Sequence, residues 1–571
     1  MGAIKYLSVI ALFQSINSMK QVLSFQQRLI NHKFRHKLIT VFFYLFSSFG
    51  LLLATHSLTQ ANSQALQQAL AHIPVTADNE TSLNMLKRFY AKRNYQPIWW
   101  QSAESPKHRL SIVLSFLTTA EQHGLNNQDY ELDELIRLKE RDGADLVSLE
   151  LELKIMQALL MLARDLRSGR FFAVKADPDW HIHQQRFDSV EYIHDAINST
   201  ELVQFLDELP PQTTHYQLLK SALIWYRNLD TQIQSWPLIP ESAPIRPNAL
   251  HTSIPLIRNR ISLFNTIQNN PQYGIATTPN ERYDFGLVEA VKRFQEQHGL
   301  NPDGIIGKQT IIALNKAPKQ RIQQIRANME RLRWMPRNLG ERYVLVNIAG
   351  FYLSAIEGGK HVLEMRIIVG RDYRSTPSFD SQLSHLVLNP YWNVPSSIAL
   401  KDLLPKQQHN PAFFASQGIK VFSKHNYNSP INPDSIDWNS IKGGFPYVLR
   451  QNPGKKNALG YIKFLFSNPF SIYLHDTPSK QLFQKDIRTF SSGCIRLEKP
   501  WELAEFVLNG NNSDINLTEK IKSGETITIN LPKQMPIYLT YLTAWVDDQN
   551  HIHFAEDVYG RDKRLIEYAR W

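Results

Sequence analysis

Apolar residues recur every three or four positions from about residue 84 to residue 236, which is the spacing of one face of an α-helix. The clearest run extends from Leu151 to Leu166 and stops at Ser168-Gly169, where glycine favours helix termination. This pattern predicts a helical domain over residues 84–236. A cluster of prolines then indicates a linker; its members are Pro237, Pro240, Pro244 and Pro247.

A second helical pattern occupies residues 252–316. One apolar helix face consists of Leu287, Ala290, Val291 and Phe294. Gly299 is placed to end that helix, and Asp303-Gly304 predicts a turn before another short helix. We predict a small helical domain that folds as a compact unit. Its glycines are explained by backbone geometry alone.

After about residue 343 the apolar period changes to two, which is typical of β-strands. The predicted strands are residues 343–348, 363–369, 385–388, 461–466 and 471–474. They predict a mainly β domain over residues 343–530, with a C-terminal extension at residues 531–571. Between residues 399 and 446 the alternation lapses, which predicts an inserted lid or binding loop, or else a disordered segment. The chain is therefore predicted to be a multidomain α+β protein.

The N-terminus carries a pattern typical of export. An uncharged apolar run from Leu38 to Ala54 follows several basic residues and precedes Thr59-Gln60-Ala61, a candidate signal peptidase site. We predict that residues 1–61 form a cytoplasmic N-terminus and either a cleaved signal peptide or a retained inner-membrane anchor. The rest of the chain is then expected in the periplasm.

The net charge of +11 includes the basic residues of this N-terminal segment. Six basic residues precede the apolar run with no acidic residue to offset them, so subtracting six from +11 leaves +5 for the exported part. An excess of this size does not indicate nucleic-acid binding, and we predict no nucleic-acid partner.

Cys494 is the single cysteine of the chain. An exported protein with one thiol has no internal disulfide to form, so the thiol points to a chemical role as a nucleophile. His475 lies at the end of a predicted strand, and strand-end residues from neighbouring strands can meet to form a Cys-His pair. Gly493 lets the backbone approach a substrate, and the amides of Gly493 and Cys494 are candidate oxyanion donors. The alternative is a small buried Cys494 beside a structural His475.

Two motifs add a resemblance to a known family. The runs Tyr473-Leu474-His475-Asp476-Thr477-Pro478 and Ser491-Ser492-Gly493-Cys494-Ile495-Arg496 resemble the active-site signature of the YkuD-type L,D-transpeptidases. Residues 95–99, 389–395 and 545–562 are similar to the long subgroup typified by YcbB. Ser492 stands where the common motif has histidine, a departure that this subgroup shares. Residues 290–314 resemble the peptidoglycan-binding type 1 module, a small three-helix domain.

The resemblance implies a function. Cys494 would be the nucleophile and His475 the general base, with Tyr473, Ser492, Gly493 and Arg496 as oxyanion or substrate-binding residues. The implied reaction transfers a donor tetrapeptide stem to the amine of an acceptor stem and forms a 3-3 cross-link, without a metal, nucleotide or other cofactor. The resemblance also implies acylation of Cys494 by carbapenems. The inserted stretch would be a lid over the cleft.

Other functions use the same features. An L,D-carboxypeptidase or another secreted cysteine peptidase would use the same pair with water as the acceptor. A non-catalytic wall-binding protein would keep the helical module but need neither Cys494 nor His475. Arg496 suits a bidentate contact with a substrate carboxylate, and an ion pair with Glu498 or a nearby acid is the alternative.

Overall fold

The computed structural model describes residues 60–76, 80–100, 106–143, 147–267, 280–509 and 516–571. The apolar run and nearly all of the predicted export segment lie outside these residues. Among the described helices, none combines the length and the apolar character that a membrane span requires.

The described chain separates into two compact units. The smaller unit contains described residues between 60 and 108 together with Leu138–Met156, and the larger contains Arg109–Arg137 and Gln157–Trp571. The helical part of the chain contributes to both units. Its helices are residues 60–72, Glu80–Lys92, Pro106–Leu117, Leu132–Asp142, Leu149–Ser168, Ala173–Ala176, Ser189–Asn198, Leu202–Asp207 and Thr214–Gln232. The predicted end at Ser168-Gly169 is confirmed, since Gly169 adopts φ +86°.

A buried carboxylate organises the smaller unit. Glu152 is fully buried, and its two oxygens accept four hydrogen bonds. Oε1 accepts from the Tyr90 hydroxyl at 2.7 Å and the Ile98 amide at 2.8 Å, and Oε2 accepts from the amides of Trp99 and Trp100 at 2.8 and 2.9 Å. One side chain therefore holds the whole aromatic turn, which explains a charge inside an apolar helix face.

We expect Glu152→Gln to destabilise this turn, because one oxygen becomes an NH₂ group that faces two donors, either two backbone amides or one amide and the Tyr90 hydroxyl. Each orphaned buried donor costs about 1–3 kcal/mol. Hydrogen exchange should show loss of amide protection at residues 98–100. The control is Glu150→Gln on the same helix, since the Glu150 side chain is 51% exposed and pairs with Arg141 at the surface. Equal exchange in both variants would contradict the structural role of Glu152.

The predicted small helical domain contains three helices, Ile254–Ile267, Phe285–Gln297 and Lys308–Leu314. Gly304 lies at the predicted turn with φ +70°, where an added Cβ would lie 3.0 Å from Val288. The described residues of this domain do not enclose a core of their own. Its apolar residues share one core with helix Thr214–Gln232 and with residues 544–554, as in the contacts of Phe264 with Phe554. The expectation of a separate folding unit is therefore not met.

The β-rich part is built on one large sheet. The strands of the larger unit are β1 (Trp180–His181), β2 (Arg342–Asn347), β3 (Tyr352–Glu357), β4 (Lys360–Gly370), β5 (Ser378–Leu388), β6 (Trp392–Asn393), β7 (Ile419–Ser423), β8 (Asn426–Ile431), β9 (Tyr447–Gln451), β10 (Ile462–Phe466), β11 (Leu474–His475), β12 (Thr489–Ser491), β13 (Ile495–Leu497), β14 (Ile527–Thr540), β15 (Ala544–Val546) and β16 (Ile552–Phe554).

Eight of these strands form a closed circuit of pairing in the order β5-β10-β11-β13-β4-β3-β2-β14. The circuit closes because β14 pairs with β2 and also with β5. Closure leaves these strands without a free edge. The proposed boundary at residue 530 is wrong, because it falls inside β14, a strand that the circuit needs. Helices Pro500–Asn509, Leu517–Lys522 and Arg561–Ala569 complete this part, and helix Pro318–Trp334 precedes it.

The stretch predicted as a lid or loop is a folded subdomain spanning residues 392–451. It carries its own four-stranded sheet in the order β6-β9-β7-β8, with helices Ser396–Ile398, Leu404–His409 and Phe413–Ser416. Its core includes Val394, Leu403, Phe414, Val421 and Leu449. The disordered alternative is therefore wrong, and the role as a lid stays a prediction. We call residues 392–451 the inserted subdomain.

Candidate active site

The pleat of three neighbouring strands brings the predicted site residues together. Lys463 of β10 lies opposite His475 of β11, and His475 lies opposite Arg496 of β13. Opposite residues share a face of the sheet, and so do residues two positions apart, which adds Tyr473 and Cys494 to the same face. The other face, including Phe464, Leu474 and Ile495, packs into the core. The alternation of side chains along the strands thus places the candidate site residues on the face opposite the core.

The backbone around Cys494 is held in a tight turn. Gly493 adopts φ +113°, a conformation that favours glycine. Its amide donates to the Ser491 hydroxyl at 3.1 Å, and its carbonyl accepts from the Thr376 hydroxyl at 2.8 Å. The Cys494 thiol is half-buried and points to the Ser471 carbonyl at 3.9 Å. The bonds of Gly493 hold the backbone turn that carries the thiol.

His475 is buried and held in one tautomer. Its Nδ1–H donates to the carbonyl of Asp476 at 2.5 Å, which leaves Nε2 with a free lone pair. Burial, together with the positive charges of Arg496 and Lys463, lowers the pKa of His475 to about 3. The imidazole is therefore neutral near neutral pH and can accept a proton at Nε2.

The Cys494 thiol is protonated under the conditions in which His475 is neutral. Burial raises the pKa of Cys494, while a hydrogen bond from Tyr473 and the charges of Lys463 and Arg496 act in the opposite direction. A raised thiol pKa and a lowered imidazole pKa favour a neutral thiol and a neutral imidazole over a resting thiolate–imidazolium pair. The proton must then leave the sulfur during attack on a substrate.

The predicted oxyanion donors differ in availability. The Gly493 amide is already bound to Ser491, as described above. The Cys494 amide donates no hydrogen bond to any acceptor in the described part of the chain. Hydrogen bonding with Tyr473 also affects the pKa of the thiol, so the Tyr473 side chain lies close to the sulfur. The geometry therefore favours the Cys494 amide over the Gly493 amide as an oxyanion donor, and the Tyr473 hydroxyl is a further donor near the sulfur.

Arg496 lies on the site face, and no acidic group of the described residues forms an ion pair with it. Its Nε is buried and has no hydrogen-bond partner among the described residues. Glu498, which the sequence offered as a partner, instead accepts from the Arg366 amide at 3.1 Å. The described residues thus leave the Arg496 guanidinium available for an anionic group.

Ser492 connects the site to the inserted subdomain. Its hydroxyl accepts from Arg374 at 2.9 Å, and the same Arg374 nitrogen forms an ion pair with Asp402 of the inserted subdomain. Asp402 also lies 3.6 Å from Arg371. Sequence reasoning missed Arg371, Arg374 and Asp402, since no local pattern connects positions so far apart in the chain.

Metal clusters and large cavities are the other common settings for chemistry in a protein. Within the described ranges, no cluster of His, Cys, Asp and Glu is arranged to hold a metal ion. A cavity of about 750 Å³ lies between the three-helix domain and β4, but neither Cys494 nor His475 lines it. The candidate acyl-transfer chemistry is confined to the face that carries Cys494.

Comparisons with known proteins identify the families of three parts of the chain. Residues 341–520 match the family described as "L,D-transpeptidase catalytic domain", of the YkuD type. Residues 84–223 match "Scaffold domain", and residues 268–314 match "Putative peptidoglycan binding domain".

A Haemophilus influenzae protein named "Putative L,D-transpeptidase" is 36% identical over 244 residues, which are 43% of this chain and 49% of that protein. The match thus spans about half the length of that relative. The crystal structure of an L,D-transpeptidase from Xylanimonas cellulosilytica is 14% identical and covers 53% of this chain and 100% of that chain, with a TM-score of 0.18. That structural similarity is too weak to support an argument about the fold. On the family matches, this chain contains a YkuD-type L,D-transpeptidase catalytic domain together with a scaffold domain and a peptidoglycan-binding domain.

Proposed function

We propose that the protein is a periplasmic L,D-transpeptidase that forms 3-3 peptidoglycan cross-links through a thioester on Cys494. The observation that carries the proposal is the position of the single thiol on the same sheet face as a buried, neutral His475, inside an L,D-transpeptidase catalytic domain. A peptidoglycan-binding domain in the same chain supports a wall substrate.

In the first step, Cys494 Sγ attacks the carbonyl carbon of the third residue of a donor tetrapeptide stem. The thiol proton passes to His475 Nε2, and the C–S bond forms as the amide C–N bond breaks. The same proton then passes from His475 to the departing nitrogen, which leaves as D-alanine. The Cys494 amide and the Tyr473 hydroxyl would stabilise the oxyanion.

In the second step, the amine of an acceptor stem attacks the thioester carbonyl. His475 Nε2 takes a proton from the amine, the new C–N bond forms, and the C–S bond breaks. The proton returns from His475 to the Cys494 thiolate. Arg496 would contact a stem carboxylate, because its guanidinium is close to the thiol and lacks an acidic partner among the described residues.

Mass spectrometry of products from purified tetrapeptide muropeptides tests this function. Transfer gives a cross-linked dimer that has lost one terminal D-alanine. An L,D-carboxypeptidase would instead release a tripeptide monomer, and a non-catalytic wall-binding protein would leave the muropeptides unchanged. Either of these outcomes would replace the proposed function.

The ion pair between Asp402 and Arg374 predicts a role for the inserted subdomain in turnover. We expect Asp402→Asn to lower kcat/KM for the donor, because Arg374 would lose its link to the subdomain and hold Ser492 less firmly. The pair is partly buried, so its loss should cost about 1–2 kcal/mol, or roughly 5- to 30-fold.

Steady-state kinetics and hydrogen exchange over residues 397–409 measure this effect. Asp434→Asn is the matched control, since Asp434 lies exposed in the same subdomain and forms no ion pair with any described residue. If both variants retained wild-type kinetics and exchange, the inserted subdomain would not act as a lid through Asp402.

A further inference from the structure

Lys463 occupies an unusual position on the site face. Its Nζ lies 3.9 Å from the centroid of the Tyr473 ring, and its strand position is opposite His475. The side chain is half-buried, and it forms no ion pair with any acidic group in the described part of the chain. By contrast, Lys480 on a nearby segment pairs with Asp476 at 2.8 Å. An ammonium that is partly removed from water without a counter-charge is costly.

One anion near the Lys463 ammonium forms during the reaction. It is the thiolate of Cys494. Tyr473 is a neighbour of both groups: its ring lies against the Lys463 ammonium, and its side chain lies close enough to the sulfur to affect its pKa. A cation over the face of a phenol withdraws electron density from the ring, which makes the O–H a stronger donor. The positive charge also favours a nearby thiolate directly.

We propose that Lys463 is a positioning residue for the acyl transfer proposed above, and that it tunes the reactivity of Cys494 through the Tyr473 hydroxyl. Its ammonium would hold the ring in place and strengthen the hydrogen bond that the hydroxyl donates to the thiolate. The inference rests on the proposed function for its purpose, but it concerns the sulfur alone and is measurable without any peptidoglycan substrate.

The electrostatics agree with the geometry. Lys463 acts to lower the pKa of Cys494, and the nearby Cys494 sulfur acts in turn to raise the pKa of Lys463 against the effect of burial. Arg496 is the other cation that faces the thiol. Arg496 lacks the contact with the Tyr473 ring, so the two cations are separable by mutation.

The test is the rate of alkylation by iodoacetamide as a function of pH. Cys494 is the single thiol, so every modification reports on this site. We expect Lys463→Met to move the alkylation midpoint up by about one pH unit and to slow alkylation near neutral pH by about 10-fold. Lys463→Arg should restore most of the rate, since it returns the charge. Lys420→Met, at an exposed position of the inserted subdomain, is the charge-matched control and should match wild type.

A double-mutant cycle tests the route through tyrosine. In a Tyr473→Phe background the further shift caused by Lys463→Met should be much smaller. An unchanged pH profile for Lys463→Met would overturn the proposal, and a full shift that persists without the Tyr473 hydroxyl would overturn its mechanism. Should Lys463→Met fail to fold, Lys463→Gln gives the same readout. If the variants showed these shifts in the alkylation profile but the wild-type protein formed no cross-links, the result would count against the proposed function and not against the role of Lys463.

Discussion

Replacing Cys494 with alanine is expected to abolish cross-link formation while the fold is retained. The chain has no second thiol, so no other sulfur can carry the acyl group. Loss of a covalent nucleophile typically lowers the rate by on the order of 10⁴-fold or more. The side chain is small and half-buried, and alanine keeps its Cβ, so the substitution should leave no large cavity.

Muropeptide product analysis measures the loss, and thermal unfolding checks the fold. Intact-protein mass spectrometry after exposure to a carbapenem gives an independent readout, because wild type should gain one adduct that Cys494→Ala lacks. Cross-linking near the wild-type rate in the alanine variant would refute the thioester mechanism. An adduct that persisted in that variant would place the acylated group elsewhere.

The sequence predicted the outline of this site for local reasons. A single thiol after glycine and a histidine at a strand end are visible along the chain, and a period of two determines which side chains share a face. The roles of Cys494 and His475 stay predictions until the variants are measured. The family matches confirm the predicted L,D-transpeptidase and peptidoglycan-binding resemblances and the multidomain α+β fold.

What the sequence did not reveal depends on pairing between distant segments. Lys463 is one polar residue in a strand until β10 pairs with β11, and only then does it face Tyr473. Arg374 and Asp402 are likewise joined by tertiary structure. In the inserted subdomain, β8 lies almost entirely exposed, so its side chains carry no alternation that could mark it as a strand. The core of the three-helix domain was misjudged because its partners lie near residues 220 and 550.

Replacing His475 with alanine is expected to lower cross-linking by about 10²–10⁴-fold near neutral pH, the usual effect of removing a general base. The deficit should shrink as the pH rises, because solvent hydroxide then deprotonates the thiol without help. His475→Asn is the matched variant, since its amide keeps a donor for the Asp476 carbonyl but supplies no base at the Nε2 position. Rescue by asparagine would show that His475 is only structural.

The pH dependence of wild-type alkylation separates two resting states of the pair. With the pKa of His475 lowered to about 3 and that of Cys494 raised, the thiol should be unreactive in acid and its alkylation rate should rise steadily from neutral to alkaline pH. A preformed thiolate–imidazolium pair would instead give a reactive plateau that extends into acid. Such a plateau would contradict a neutral resting pair. A rising profile, combined with a large His475→Ala deficit near neutral pH, assigns the proton transfer to the attack itself.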